Sequence, residues 1–152
     1  MKKFFIILGA VFLAVIVIGG SGIAFLAFRG IALDKESRAY ADKAIPAIVS
    51  NWSEKELLDR ASPEFKHAVT IDQLDRMFLW FSRLGQLESC EPAAGQAGVS
   101  VTPKDGKVTG GEYTAKVKFQ NGEAIVSLRL IKHGEQWQIL RFDVNSAALA
   151  PQ

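Results

Sequence analysis

The chain has 152 residues, a single cysteine and a formal net charge of +2 at pH 7. Lys2 and Lys3 account for this excess, so the sequence from Arg29 onward is formally neutral. This balance provides no basic patch for nucleic acid, and one cysteine excludes a disulfide within the chain. The residues after the apolar start suffice for one small domain with a hydrophobic core.

Residues 4–28 contain no charge and no proline, and they are rich in Phe, Ile, Leu and Val. As a helix rising ~1.5 Å per residue they would measure about 37 Å, against a bilayer hydrocarbon core of ~30 Å. The alternative is a cleaved signal peptide, whose apolar region is only ~7–15 residues long. The first Ala-x-Ala site past the run, at 39–41, lies well beyond it in charged sequence. We therefore predict a retained signal-anchor that enters the lipid bilayer through residues 4–28, after a cytoplasmic start at 1–3.

The orientation of this segment is predicted from its basic start. The other flank also carries basic residues, namely Arg29, Lys35, Arg38 and Lys43. Long trailing domains are translocated largely regardless of charge, however, and a first apolar segment usually follows its basic start. We predict an inner (cytoplasmic) membrane protein with its N-terminus inside. Residues 29–145 then form a domain in the periplasm or outside the cell, followed by a flexible tail at 146–152.

Apolar residues at helical spacing predict the first helix of the domain over residues 34–52. Pro46 lies inside it and lacks a backbone N–H, so we expect a kink there. Residues 65–69 fit either a single helical turn or a short strand.

Two capping boxes predict the starts of the next helices, over residues 54–61 and 71–84. In each box a hydroxyl caps the first turn, and the side chain three residues later reaches back to the capping residue. Gly85 fits the left-handed position that closes the second of these helices. The capping pairs are Ser53 with Glu56 and Thr70 with Gln73.

From Gln86 onward the pattern changes to strands separated by turn residues. Asn121-Gly122 is the strongest hairpin signal because both residues tolerate positive φ. The sequence predicts an α+β fold in which helices pack on a curved antiparallel sheet of about four to five strands. The predicted strands cover 87–91, 99–102, 112–120, 124–131 and 136–144, with a loose connection at 93–98. Their inward residues are predicted to include Tyr113, Ala115, Val117, Phe119, Ala124, Val126, Leu128 and Leu130.

Four groups of core and turn residues resemble small extracytoplasmic members of the nuclear transport factor two-like (cystatin-like) superfamily, over residues 36–145. The resemblance implies a roll of helices on a curved sheet, and it favours a strand at 65–69. Enzymes of that superfamily share a pocket Asp, His or Tyr, and no matching motif is present here. The groups are Leu57-Leu58 with Ser62-Pro63-Glu64-Phe65, Leu84-Gly85-Gln86-Leu87, Phe119 with Asn121-Gly122, and Trp137-Gln138-Ile139 with Phe142.

Candidate chemistry is sparse. A metal site is not expected because neither histidine has a second ligand at suitable spacing, and Cys90 has no recognisable histidine partner. Strand alternation leaves Arg141 and Asp143 either facing a pocket or forming a surface pair. Residues 78–81 place apolar bulk nearly all round one helix, and a core accounts for only three of the four. The remaining side chain, Leu79 or Trp80, is a candidate pocket lip or partner surface.

We therefore predict a non-catalytic binding module that is anchored in the membrane and contacts an envelope protein or a second copy. The alternative is a carrier of a small apolar ligand, or an isomerase- or dehydratase-like enzyme, that uses a cone-shaped pocket between helix and sheet. A side-chain-filled cone favours the first function, and an open cavity around a titratable residue favours the second. No cofactor, metal or catalytic residue is predicted. The candidate binding residues are Trp80, Phe78, Tyr113, Trp137 and Arg141.

Overall fold

The computed structural model describes residues 31–150. The chain from Asp34 onward forms one compact unit. The predicted membrane segment, 4–28, and the cytoplasmic start, 1–3, lie outside the described residues. Among the described helices, none is long and apolar enough to cross a bilayer.

Within residues 31–150, four α-helices precede the sheet, and serine or threonine side chains cap three of them. They are α1 at 31–49, α2 at Glu54–Arg60, α3 at Pro63–Ala68 and α4 at Ile71–Phe81, with 3₁₀ turns at Ser82–Leu84 and Ala147–Leu149. The strand that the resemblance implied at 65–69 is wrong, because these residues belong mostly to α3. Pro63 occupies the first turn, and the Ser62 hydroxyl accepts the Phe65 N–H at 3.2 Å, so both favour a helix.

The first helix ends at residue 49, three residues earlier than predicted. Trp52 then adopts a φ of +48°, and its indole N–H donates to the Gly85 carbonyl at 3.2 Å. A non-glycine residue in this conformation is strained, and tertiary contacts of the Trp52 ring hold it there. The chain remains helical through Pro46, and the kink stays a prediction.

The two capping boxes differ in outcome. Thr70 and Gln73 form both reciprocal bonds, at 3.2 and 3.0 Å, as predicted. Ser53 caps α2, but the Glu56 carboxylate pairs with Arg60 one turn later instead of reaching back. The predicted bond from the Glu56 side chain back to Ser53 was therefore wrong, because the ion pair with Arg60 at i, i+4 competes for the carboxylate.

Five antiparallel strands form one sheet in the order β1-β3-β4-β5, with β2 also paired to β3. The α+β class and the antiparallel sheet are therefore confirmed. The predicted loose connection at 93–98 is wrong, because most of it belongs to β2, whose small residues show no apolar alternation. The strands are β1 at Leu87–Cys90, β2 at Ala94–Thr102, β3 at Gly106–Phe119, β4 at Gly122–His133 and β5 at Gln136–Asn145.

The β3–β4 hairpin is confirmed, but its loop is displaced by one residue. Phe119 pairs with Gly122, so Gln120 and Asn121 form the two-residue connection. Neither Asn121 nor Gly122 has a positive φ. The prediction that this turn depends on positive φ at these two residues was therefore wrong. Gly122 is required by space instead, since an added Cβ would lie 2.7 Å from the Cβ of Ala148.

The segment predicted as a flexible tail starts with ordered contacts in its described part, 146–150. The Ser146 hydroxyl caps the 3₁₀ turn Ala147–Leu149, and the Leu149 side chain is buried. The close approach of this turn to Gly122 explains why the glycine lies there.

The interior between helices and sheet is filled by side chains. The predicted inward positions of β3 and β4 are all buried, which confirms the alternation. Opposite them lie apolar residues of the helices, each at most 1 % exposed: Ile45, Ile48, Val49, Leu57, Leu74 and Leu84.

Candidate partner-binding surface

An aromatic cluster joins α4 to the sheet. The Trp52 ring stacks on Phe119 with centroids 5.0 Å apart and lies 5.7 Å from Phe81. Phe78 stacks on Phe142 at 6.1 Å. Such contacts between rings add to the stabilisation from apolar burial, so this end of α4 rests on a rigid support.

Two large apolar side chains of α4, Leu79 and Trp80, are exposed to solvent. Helical geometry directs Phe78 and Phe81 into the core, and both are only 3 % exposed. Leu79 is 73 % exposed and Trp80 is 42 % exposed. The ring centroids of Trp80 and Phe81 lie 5.8 Å apart, so the Trp80 ring packs against the buried cluster on one side. We call Leu79 and Trp80 the α4 surface; the sequence predicted that one of the two would be exposed, and both are.

The candidate binding residues do not converge on one site. Phe78, Tyr113 and Trp137 are buried, whereas Trp80 and Arg141 reach solvent. A binding role for each of the five residues stays a prediction, and only Trp80 and Arg141 offer side chains accessible from outside.

Tyr113 ties the sheet to the first helix. Its hydroxyl donates to Asp34 Oδ1 at 2.9 Å and lies 2.5 Å from Ser37 Oγ. The hydrogen bond from Tyr113 is the largest cause of a lowered pKa at Asp34, and burial raises the pKa of Tyr113 itself. The Asp34 carboxylate also accepts the Ala97 N–H at 3.1 Å. Together these contacts hold α1, β2 and β3 in place, which is a structural role.

The lowered pKa of Asp34 predicts a pH dependence of stability. Because the folded-state pKa lies below the ordinary value of 3.8, ionised Asp34 stabilises the fold above that pH. The stabilisation is lost as the pH falls through the folded-state pKa. Asp34→Asn should therefore unfold more easily than the unmodified chain at pH 7, and the difference should shrink at a pH below the folded-state pKa of Asp34. Urea titrations of both chains at the two pH values measure this, and an unchanged difference would contradict it.

Trp137 is buried against the first helix. Its indole N–H donates to Glu36 Oε2 at 3.4 Å, and Lys132 Nζ lies 5.5 Å from the ring centroid. Lys132 also donates to Glu36 at 3.1 Å, and this bond is the largest cause of the lowered Glu36 pKa. The arrangement joins the β4–β5 hairpin to α1.

A β-bulge places Arg141 on the outer face of the sheet. Arg129 pairs with Arg141, but the next residue, Leu130, pairs with Ile139, so Leu140 is the extra residue. The alternation reverses there, and the inward orientation considered for Arg141 is wrong. Arg141 instead forms a surface ion pair with Asp143 at 2.9 Å, the other option that the sequence left open.

The outer face carries a shallow depression of about 620 Å³ over β3, β4 and β5. Its charged lining is paired internally, Glu112 with Arg129 and Arg141 with Asp143. Within residues 31–150 no cluster of His, Cys, Asp or Glu is arranged to hold a metal ion. Burial raises the pKa of Cys90, which disfavours the reactive thiolate. We find no catalytic arrangement in the described part of the chain.

Comparison with protein-family models, with curated proteins and with solved structures gave no match to this chain. The structure therefore defines the class of domain only: helices packed on a five-stranded antiparallel sheet. Membership of the superfamily that the sequence resembles stays a prediction.

Sequence reasoning missed one exposed feature, the distal part of the β2–β3 hairpin. Val99 is 46 % and Val101 is 76 % exposed, on a strand that carries no charge. The alternation Val99-Ser100-Val101 was the available signal, and it predicted a strand but not its exposure.

Proposed function

We propose that this chain is a single-pass membrane protein whose non-catalytic domain binds a protein partner in the cell envelope through the α4 surface. Residues 4–28 are the anchor, and the domain lies outside the cytoplasm. The observation that carries the binding role is the exposure of Leu79 and Trp80 above a buried aromatic cluster.

The α4 surface has the properties of an interaction hot spot. Tryptophan is enriched among residues that dominate binding energy, and such residues are typically surrounded by a polar rim. On α4 the neighbouring Asp75 and Arg76 are exposed and supply such a rim. Because the Trp80 ring already packs against Phe81, this surface would lose little conformational entropy when a partner docks there.

The filled interior weighs against the ligand carrier and the enzyme. Small-molecule sites are concave, and their titratable groups converge on a cavity. Here the space between helices and sheet is occupied by apolar side chains, and the charged depression of about 620 Å³ lies on the outer face. The groups with shifted pKa values, such as Asp34 and Glu36, bond to neighbouring elements.

Photo-crosslinking in intact membranes tests the proposed surface. A benzophenone-bearing phenylalanine analogue is placed at Trp80 in the full chain, and the same analogue at Ile125 serves as the control. Ile125 is exposed on the outer sheet face, away from α4. We expect a discrete adduct, with a second protein or a second copy, from position 80 and none from position 125.

A second substitution separates binding from folding. Leu79→Ser in the chain that carries the analogue at position 80 should remove most of the adduct, because it removes the apolar contact with the partner next to position 80. Thermal unfolding should be unchanged, since Leu79 contributes little to the core. A chain that gives only monomer from both positions would overturn the proposal.

A further inference from the structure

The β2–β3 hairpin runs alongside the first helix as far as Asp34, and its strands extend beyond that contact. Hydrogen bonds join Ala93 N–H to Asp42 at 2.7 Å, Arg38 to the Gly95 carbonyl at 3.0 Å and Ala97 N–H to Asp34 at 3.1 Å. As β2 advances, its partners on α1 move toward the start of the helix, so the two elements are antiparallel. From Ala97 to Thr102 the strand extends ~17 Å further.

Chain connectivity limits how far this end of the domain is from the proposed anchor. Only six residue steps separate Phe28, the last residue of the apolar run, from Asp34. Even a fully extended chain covers at most ~22 Å in six steps. If residues 4–28 lie in the bilayer, Asp34 is near its surface, and the hairpin extends beyond Asp34 by a similar distance.

The hairpin tip has an apolar face that is open to solvent. Gly95 pairs with Tyr113, so by alternation Val99 and Val101 lie on the same sheet face as the Tyr113 side chain. Tyr113 is covered by α1, whereas both valines are exposed. Exposed apolar area of this kind, on an uncharged strand, favours contact with another apolar phase.

The backbone of the tip sets the depth of such a contact. The Gly95 carbonyl and the Ala97 N–H point away from β3, so the polar backbone groups of Val99 and Val101 do so as well. An unpaired strand edge is not tolerated in hydrocarbon but finds partners in the hydrated headgroup layer. Lys104 in the turn and Lys107 just after it are exposed, and side chains of this length can extend to phosphate oxygens at a membrane surface.

We propose that the hairpin tip, residues 99–107, docks on the phospholipid surface of the membrane that holds the anchor. The inference rests on the proposed anchoring and adds a second contact with the same bilayer. Val99 and Val101 face the lipid at headgroup depth, and Lys104 and Lys107 contact phosphates. The tether keeps the tip at high local concentration, so a small apolar contact suffices. The competing occupant of this edge is a second copy that pairs strand to strand.

Depth-dependent quenching in the full chain tests this docking. Cys90→Ser is combined with Val101→Cys or, as the control, with Lys118→Cys, and each cysteine carries an environment-sensitive fluorophore. Lys118 is exposed near the other end of β3, about 36 Å along the strand from Lys107. The proteins are reconstituted in phosphatidylcholine–phosphatidylglycerol vesicles with a nitroxide on the headgroup. Relative to the same vesicles without nitroxide, we expect the probe at 101 to lose most of its emission and the probe at 118 to keep it.

The outcomes separate this proposal from the anchor. Equal emission from both probes in protein that floats with the vesicles overturns the docking and leaves the anchor intact. Protein that fails to float overturns both. Emission at 101 that depends on the protein-to-lipid ratio, with crosslinking between copies, overturns docking in favour of strand pairing. Val99→Ser should restore emission from the probe at 101, because it removes the neighbouring apolar contact.

Discussion

Phe119→Ala is expected to lower the free energy of unfolding by about 3–5 kcal/mol, the usual cost of truncating a buried phenylalanine. Phe119 is 1 % exposed and stacks on Trp52, whose positive φ depends on contacts of this kind. The cavity therefore removes apolar burial and also removes the contact between Trp52 and β3. Urea unfolding followed by tryptophan fluorescence measures the loss.

Ile125→Ala is the matched control for this substitution. Ile125 lies on the outer face of the adjacent strand β4 and is 46 % exposed. Its truncation should change the free energy of unfolding by about 0.5 kcal/mol or less. A loss below about 1 kcal/mol for Phe119→Ala would contradict the packing of the aromatic cluster.

Gly95→Ala is expected to detach β2 from β3 or to destabilise the domain by about 3 kcal/mol, at the upper end for overpacking. An added Cβ would lie 1.9 Å from the Glu112 carbonyl oxygen, and this neighbour is backbone that cannot rotate away. The φ of +159° adds strain for any side chain. Amide hydrogen exchange along β2, together with urea unfolding, measures the effect.

Gly98→Ala, three residues along the same strand, is the control. An added Cβ there meets nothing within 4 Å, and no positive φ is recorded for Gly98. Its exchange and unfolding should match those of the unmodified chain. If both substitutions behave alike, the register of β2 against β3 described above is wrong.

Local patterns predicted most of the fold because their causes are local. Thr70 and Gln73 satisfy each other's backbone, and alternation along β3 places Tyr113 and Phe119 inward whatever lies elsewhere. By contrast, β2 consists of glycine, alanine and polar residues with only two valines, and its pairing depends on glycines in β3 such as Gly111. No periodicity in β2 itself carries that information.

Local patterns predicted part of the candidate site as well. Helical geometry around residues 78–81 indicated an exposed apolar side chain, and Leu79 and Trp80 are both exposed. The position of Arg141 depends on the bulge at Leu140, which is a property of two paired strands and not of either sequence. The burial of Tyr113 follows from strand alternation. Its hydrogen bond to Asp34 joins residues far apart in the chain, so no local pattern indicates it.

Association with the membrane underlies both proposals, the partner-binding role of the α4 surface and the docking of the hairpin tip on lipid. Cells that express the full chain are broken without detergent, and the membranes are washed at alkaline pH to release peripheral proteins before high-speed sedimentation. We expect the intact chain to stay in the pellet and to enter solution only with detergent. Recovery of the intact chain in the aqueous supernatant would contradict it.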